Sequence, residues 1–130
     1  MLYSKYMILY PTETLYALGV NALDQEELKK IHEIKDRPEG KVASWLVRNI
    51  EDIKQYAELP EKAAKIAERF LPGQLTLVLK VTDKAYSEVT AEDQTIGFRI
   101  SADPKAQELI AMFMEENNAP LTCTSANVSG

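Results

Sequence analysis

Short apolar runs alternate along this chain with segments of helical period. Tyr6-Met-Ile-Leu-Tyr10 reads as a buried strand, ended by Pro11, whose nitrogen cannot donate to a sheet ladder. Asp24-Gln-Glu-Glu27 has the form of a capping box, with Asp24 as N-cap and Glu27 three positions on. Leu28, Ile31 and Ile34/Lys35 follow at helical spacing, and that helix must stop before Pro38. Ser44–Val47 predicts a short strand, and Asn49 caps a brief helix to about Tyr56. A further helix, from Pro60 or Glu61 to Phe70, is expected to bury Ala63, Ile66, Ala67 and Phe70 before Leu71-Pro72-Gly73 breaks it. Leu75–Val81 is the most pronounced strand pattern, residues 82–94 read as a polar surface loop, and Thr95–Ile100 is another strand. Asp103-Pro104 begins a helix with Ala106, Leu109, Ile110 and Phe113 on one face. Leu121–Thr124 is a last strand, followed by a polar loop over 125–130. The alternation favours one α/β domain with helices packed on a mostly buried sheet; a sandwich or an all-α bundle fits it poorly.

Composition narrows the class without naming a function. At 130 residues, with 45% hydrophobic and 27% charged positions, the chain has enough material for one core. The single cysteine, Cys123, excludes an internal disulfide and a cysteine-based zinc cluster, and fits a reducing cytoplasm. The formal net charge of -5 argues against a surface that grips nucleic acid all round, although it leaves room for a local basic patch.

Three polar segments follow strands or a helix end: Thr12-Glu13-Thr14, Lys35-Asp36-Arg37 and Ser125-Ala126-Asn127. Hydroxyls, two cations and an amide, brought together, suit an anionic ligand such as a phosphate or carboxylate. No Walker A or G-x-G-x-x-G loop is present. Each segment also has a plainer reading. Thr12 and Thr14 can bond to local backbone, and Lys35 and Arg37 can neutralise a helix C-terminus. Glu13 reads as a solvated turn carboxylate, His32 as a surface residue, Cys123 as a small buried strand residue, and Trp45 and Phe98 as core.

Taken in order, Tyr10-Pro-Thr-Glu-Thr-Leu-Tyr-Ala-Leu-Gly19, Lys35-Asp-Arg-Pro38, Leu71-Pro-Gly-Gln-Leu-Thr76, Gly97-Phe-Arg99 and Ser125-Ala-Asn-Val-Ser-Gly130 form a series. That series resembles the YrdC/TsaC family of threonylcarbamoyl-AMP synthases over nearly the whole chain. The resemblance implies a YrdC-like twisted, mostly buried open α/β sheet with flanking helices around a concave cavity. It implies a nucleotidyltransferase that makes threonylcarbamoyl-AMP and pyrophosphate from L-threonine, bicarbonate or CO₂, and ATP with Mg²⁺. The product would pass to tRNA-modification proteins that build t⁶A. By the family pattern Lys35, Arg37, Ser125 and Asn127 are the catalytic and nucleotide-contacting signature, and Lys41 and Thr95 line the nucleotide side. Thr14 contacts threonine, Arg99 holds its carboxylate, and Cys123 offers backbone rather than its thiol.

Departures from that pattern are specific. Ala17 and Asp36 stand where glycine is typical, Gln74 replaces the second proline of Pro-Gly-Pro, and Val42 follows Lys41 where proline is common. The expected organisation is a single YrdC-like domain over residues 1–130, without the family's usual N-terminal helix and C-terminal tail. Two further readings stand beside the synthase. One is a non-catalytic module that binds nucleotide or double-stranded RNA. The other is the related carbamoyl-transfer domain of hydrogenase maturation proteins.

Overall fold

The computed structural model describes residues 2–3, 7–13, 16–35, 42–83, 86 and 89–125. In chain order the elements are β1 (Leu2–Tyr3), β2 (Ile8–Pro11), β3 (Tyr16–Gly19), α1 (Gln25–Lys35), β4 (Ser44–Leu46) and α2 (Ile50–Tyr56). They continue with α3 (Glu61–Phe70), β5 (Leu77–Lys80), β6 (Thr95–Arg99), α4 (Pro104–Asn117) and β7 (Leu121–Ser125). The strands form one mixed sheet in the order β1-β2-β3-β7-β4-β6-β5. Among these pairs only β4 and β6 run parallel. The α/β class expected from the alternation is the one observed.

Local chemistry explains where the helices begin. Asp24 Oδ1 accepts from the amides of Glu26 and Glu27, both at 3.1 Å. The reciprocal half of the expected capping box does not form. The Asp24 amide donates to the Asn21 carbonyl, and the buried Glu27 carboxylate turns instead to Lys30 at 3.4 Å. Asn49 Oδ1 caps α2 through the Asp52 amide, and Asp103 Oδ2 caps α4 through the Ala106 amide, both at 2.9 Å. Asn118, left-handed at φ 52°, closes α4. Ala106, Ile110 and Met114 form the buried stripe of α4, with Leu109 and Phe113 packed at its flank.

Helix α3 departs from expectation. Ala67 is its buried residue and Ala63 is half-buried, while Ile66 and Phe70 are 41% and 54% exposed. The inward stripe runs 63–67–71 at four-residue spacing, and Leu71 fills the place anticipated for Phe70. His32 also differs, because its Nε2 accepts from the Ala43 amide at 3.2 Å and ties α1 to the approach of β4. Strand β3 was not anticipated, since residues 16–19 alternate too briefly to announce it. The loop after β5 is not wholly superficial: Val89 and Thr90 are buried, and Tyr86 packs on Trp45.

The pleat divides the sheet into two chemically different faces. Register pairs Trp45 with both Phe98 and Thr122, and Phe98 with Leu77, so these share one face. There Trp45 meets Tyr56, Tyr86 and Phe98 edge-on, at 5.7, 6.3 and 5.8 Å between ring centres. Ser44 pairs with Cys123, and Thr95, Gly97 and Arg99 alternate with the core residues of β6, so these share the other face.

Thr122 fastens the middle of this sheet. Its amide donates to the Val20 carbonyl and its Oγ1 accepts from the Val20 amide, each at 2.9 Å; its carbonyl accepts from the Tyr10 hydroxyl at 3.0 Å. Close by, Gly19 has no room for a side chain, because a Cβ there would lie 2.6 Å from the Thr122 carbonyl oxygen. Thr122→Val keeps the shape but strands a buried amide at Val20. We expect it to lower unfolding free energy by about 1–3 kcal/mol, measured by urea denaturation followed through the fluorescence of Trp45. An unchanged midpoint would remove Thr122 as a fastening point.

Candidate active site

One end of the sheet gathers the candidate segments. The β2–β3 turn carries Thr12 and Glu13 there, and β7 reaches the same end at Ser125, paired with Ala17 of β3. Strand β4, antiparallel to β7, starts at that end, and β6 starts beside it with Thr95. Lys35 is the last residue of α1, and the His32–Ala43 bond holds that helix near the start of β4. Lys35 and Ser125 are placed by their backbone; Thr14, Arg37, Lys41 and Asn127 lie outside the described residues.

Thr95, Arg99 and Cys123 occupy the face opposite the Trp45 core. Thr95 and Arg99 are about 13 Å apart along β6, and Cys123 lies about 10 Å across the sheet, two strands away. Around Thr95 the face opens into a groove of about 530 Å³, lined by Val42, Ser44, Thr76, Asp93, Thr95 and Gly97 among others. Gly97 forms its floor. A Cβ there would come within 2.8 Å of the Thr76 methyl and 3.0 Å of Ser44 Oγ. The Thr95 hydroxyl donates to Asp93 Oδ1 at 2.6 Å, and its amide donates to the same atom at 3.2 Å. These bonds from Thr95 hold the Asp93 carboxyl below its ordinary range. With its proton committed, the Thr95 hydroxyl faces a ligand as an acceptor, so it suits an O–H or N–H of a nucleoside better than a phosphate.

Further along the same face is a polar cluster around Arg99. Its half-buried guanidinium has no hydrogen bond or ion pair among the described residues, yet it lies within electrostatic reach of Glu13, Tyr10 and Cys123. Burial pushes the Cys123 thiol up, and Tyr10 and Arg99 offset this only in part, so the sulfur stays protonated and unreactive at neutral pH. Burial likewise drives the Tyr10 phenol well up. With Tyr10 and Cys123 protonated beside it, and the Glu13 carboxylate already bonded to Ser101 and Ala102, this guanidinium is a fitting seat for a small carboxylate.

Glu13 departs from its reading as a solvated turn carboxylate. Its Oε1 accepts from Ser101 Oγ at 3.1 Å and its Oε2 from the Ala102 amide at 2.6 Å. Burial opposes ionisation, but the backbone amides, the Ser101 hydroxyl and Arg99 outweigh it and hold the carboxyl below its usual range. Its bonds are therefore intact at neutral pH and are lost only as pH falls below that range. Ser44 and Gly97 were overlooked as site residues, although a glycine inside an apolar strand is itself a signal of close approach. Among the described residues no group of three or more His, Cys, Asp and Glu side chains is arranged to hold a metal ion. None of the helices is long and apolar enough to cross a membrane, again among the described residues.

Comparison with known proteins gives this geometry a family. The family model for Sua5, YciO and YrdC, described as telomere recombination, matches residues 1–130. A threonylcarbamoyl-AMP synthase of Pyrococcus abyssi is 38% identical over 125 residues, covering 95% of this chain and 36% of that protein. One of Bacillus subtilis is 40% identical over 129 residues, covering 95% and 35% respectively. The crystal structure of P. abyssi Sua5 complexed with L-threonine superposes with a TM-score of 0.77 at 35% identity, over 96% of this chain and 36% of that one. The chain thus spans roughly a third of the length of these relatives. On the family match and the shared fold, the chain belongs to the Sua5/YciO/YrdC family.

Proposed function

We propose that this chain forms threonylcarbamoyl-AMP and pyrophosphate from L-threonine, bicarbonate or CO₂, and ATP. The observation that carries the reading is the Arg99 guanidinium, unpaired among the described residues, on the same sheet face as the Gly97-floored groove. One end of that face suits a small carboxylate and the other a nucleoside. Relatives named for this reaction, and a related structure that holds L-threonine, support the assignment.

In this reading Arg99 holds threonine by its carboxylate, the Thr14 hydroxyl contacts it, and the chain at Cys123 offers backbone beside it. The threonine ammonium loses a proton to solvent, the free amine adds to CO₂, and loss of a second proton from the nitrogen to solvent gives a carbamate. A carbamate oxygen then attacks the α-phosphorus of ATP, and pyrophosphate leaves. Lys35, Arg37, Ser125 and Asn127 contact the phosphates and offset charge in the transition state, while Lys41 and Thr95 line the nucleotide side. Positioning two anions and clamping them with cations suffices; no protein nucleophile is required, which agrees with a buried, protonated Cys123. Mg²⁺ would enter with the ATP substrate, where it would offset charge on the phosphates. The product would be consumed by tRNA-modification proteins.

Pyrophosphate release is expected to require ATP, L-threonine and bicarbonate together, and to vanish in Lys35→Ala. Release without threonine, or unaffected by Lys35→Ala, would overturn the reading. ATP binding without turnover would favour a non-catalytic nucleotide-binding module instead. Arg99→Ala is expected to raise KM for L-threonine about 10–100-fold, the scale of one lost charge-assisted contact. Gly97→Val, which fills the groove floor, is expected to raise KM for ATP about tenfold with little change for threonine. Equal effects on both substrates would contradict the division of the face into two ends.

A further inference from the structure

Glu13 belongs to the β2–β3 turn, but both of its oxygens are engaged 88 and 89 residues along the chain, at Ser101 and Ala102. That contact is itself reinforced. Ser101 Oγ accepts from the Asp103 amide at 3.0 Å, and the Ser101 carbonyl accepts from Gln107 Nε2. Asp103 in turn caps α4. One carboxylate thus bolts the turn to a braced segment that begins two residues beyond Arg99. Arg99, the side chain assigned to the threonine carboxylate, therefore sits just before the segment that Glu13 grips.

We propose that Glu13 is a positioning residue, clasping the segment just beyond Arg99 so that the guanidinium is held in place for the carboxylate of L-threonine. The inference rests on the synthase reading above. A general-base role fits the geometry poorly, because each carboxylate oxygen already accepts a hydrogen bond, and a carboxyl held below its usual range is a weak base. Nor does the clasp make a ligand site of its own, since its donors and acceptors are satisfied within the protein.

Two variants separate these roles. Glu13→Ala removes the clasp. Glu13→Gln keeps the reach, with an oxygen for the Ala102 amide and a nitrogen that can donate to Ser101 Oγ. We expect Glu13→Ala to raise KM for L-threonine about tenfold or more, with kcat and KM for ATP within about threefold of wild type. Glu13→Gln should return KM for L-threonine to within about threefold of wild type. Hydrogen exchange at the Ala102 amide should quicken in Glu13→Ala. If both variants lose kcat alike with KM unchanged, Glu13 is a base and the inference fails. If Ala102 exchange quickens but KM for threonine does not move, the clasp is structural only and the inference also fails, while the synthase reading stands. If the wild-type protein neither binds L-threonine nor releases pyrophosphate, the synthase reading falls and takes the threonine role with it. The exchange measurement would still report whether the clasp exists.

Discussion

The hydrogen bonds on Thr122 are the constraint on which the rest of the sheet depends. Strand β7 is the seam between β1–β2–β3 on one side and β4–β6–β5 on the other. A strand repeats its side-chain direction every two residues, so a slip of one residue would exchange the faces. Cys123 would turn into the Trp45 core and Thr122 toward the groove. The amide, hydroxyl and carbonyl of Thr122 each have one partner, at Val20 or Tyr10, and a slipped register would strand all three in a dry interior. Gly19 works to the same end by letting β3 approach where any side chain would collide.

With register set, core and site alternate along the same few residues. Ser44 lines the groove and Trp45 sits in the aromatic cluster; Gly97 is groove floor and Phe98 is core. A site built on strands in this way gains rigidity from the packing behind it. It also ties substrate geometry to core packing, so a substitution that loosens Trp45 or Phe98 would be felt through the backbone at Ser44 and Gly97.

Local features of this kind were legible in the sequence. Asp103-Pro104 and Asn49 announce helix starts through side-chain bonds made within three residues, and both form as read. The runs at 44–47, 75–81 and 95–100 announce strands because they are apolar and bounded by breakers. Once 95–100 is a strand, placing Thr95 and Arg99 on one face follows from its period alone. What escaped depends on distant partners. Glu13 reads as a solvated turn residue because nothing near it reveals Ser101. Four strand steps separate β2 from β6, and at about 20–25° of twist per step their directions differ by roughly 90°. Such a crossing can bring a turn at one end of the sheet to the far end of β6. His32 was misjudged for a similar reason, its partner Ala43 lying 11 residues along the chain. In α3 the apolar period was correct, but the packing partners chose the 63–67–71 stripe over its Ile66 and Phe70 flank.

The place of β7 also bears on how the chain acquires its shape during synthesis. It is central in the sheet, yet it follows the other six described strands in sequence. Until residues 121–125 have emerged, β3 and β4 each present an open edge, and those edges cannot pair with each other across the missing strand's width. Roughly 26 residues separate the end of β6 from the end of β7, and a ribosome takes on the order of 1–5 s to add them. For that interval the nascent chain is two half-sheets with exposed margins, the kind of surface to which holding chaperones or other unfinished chains attach.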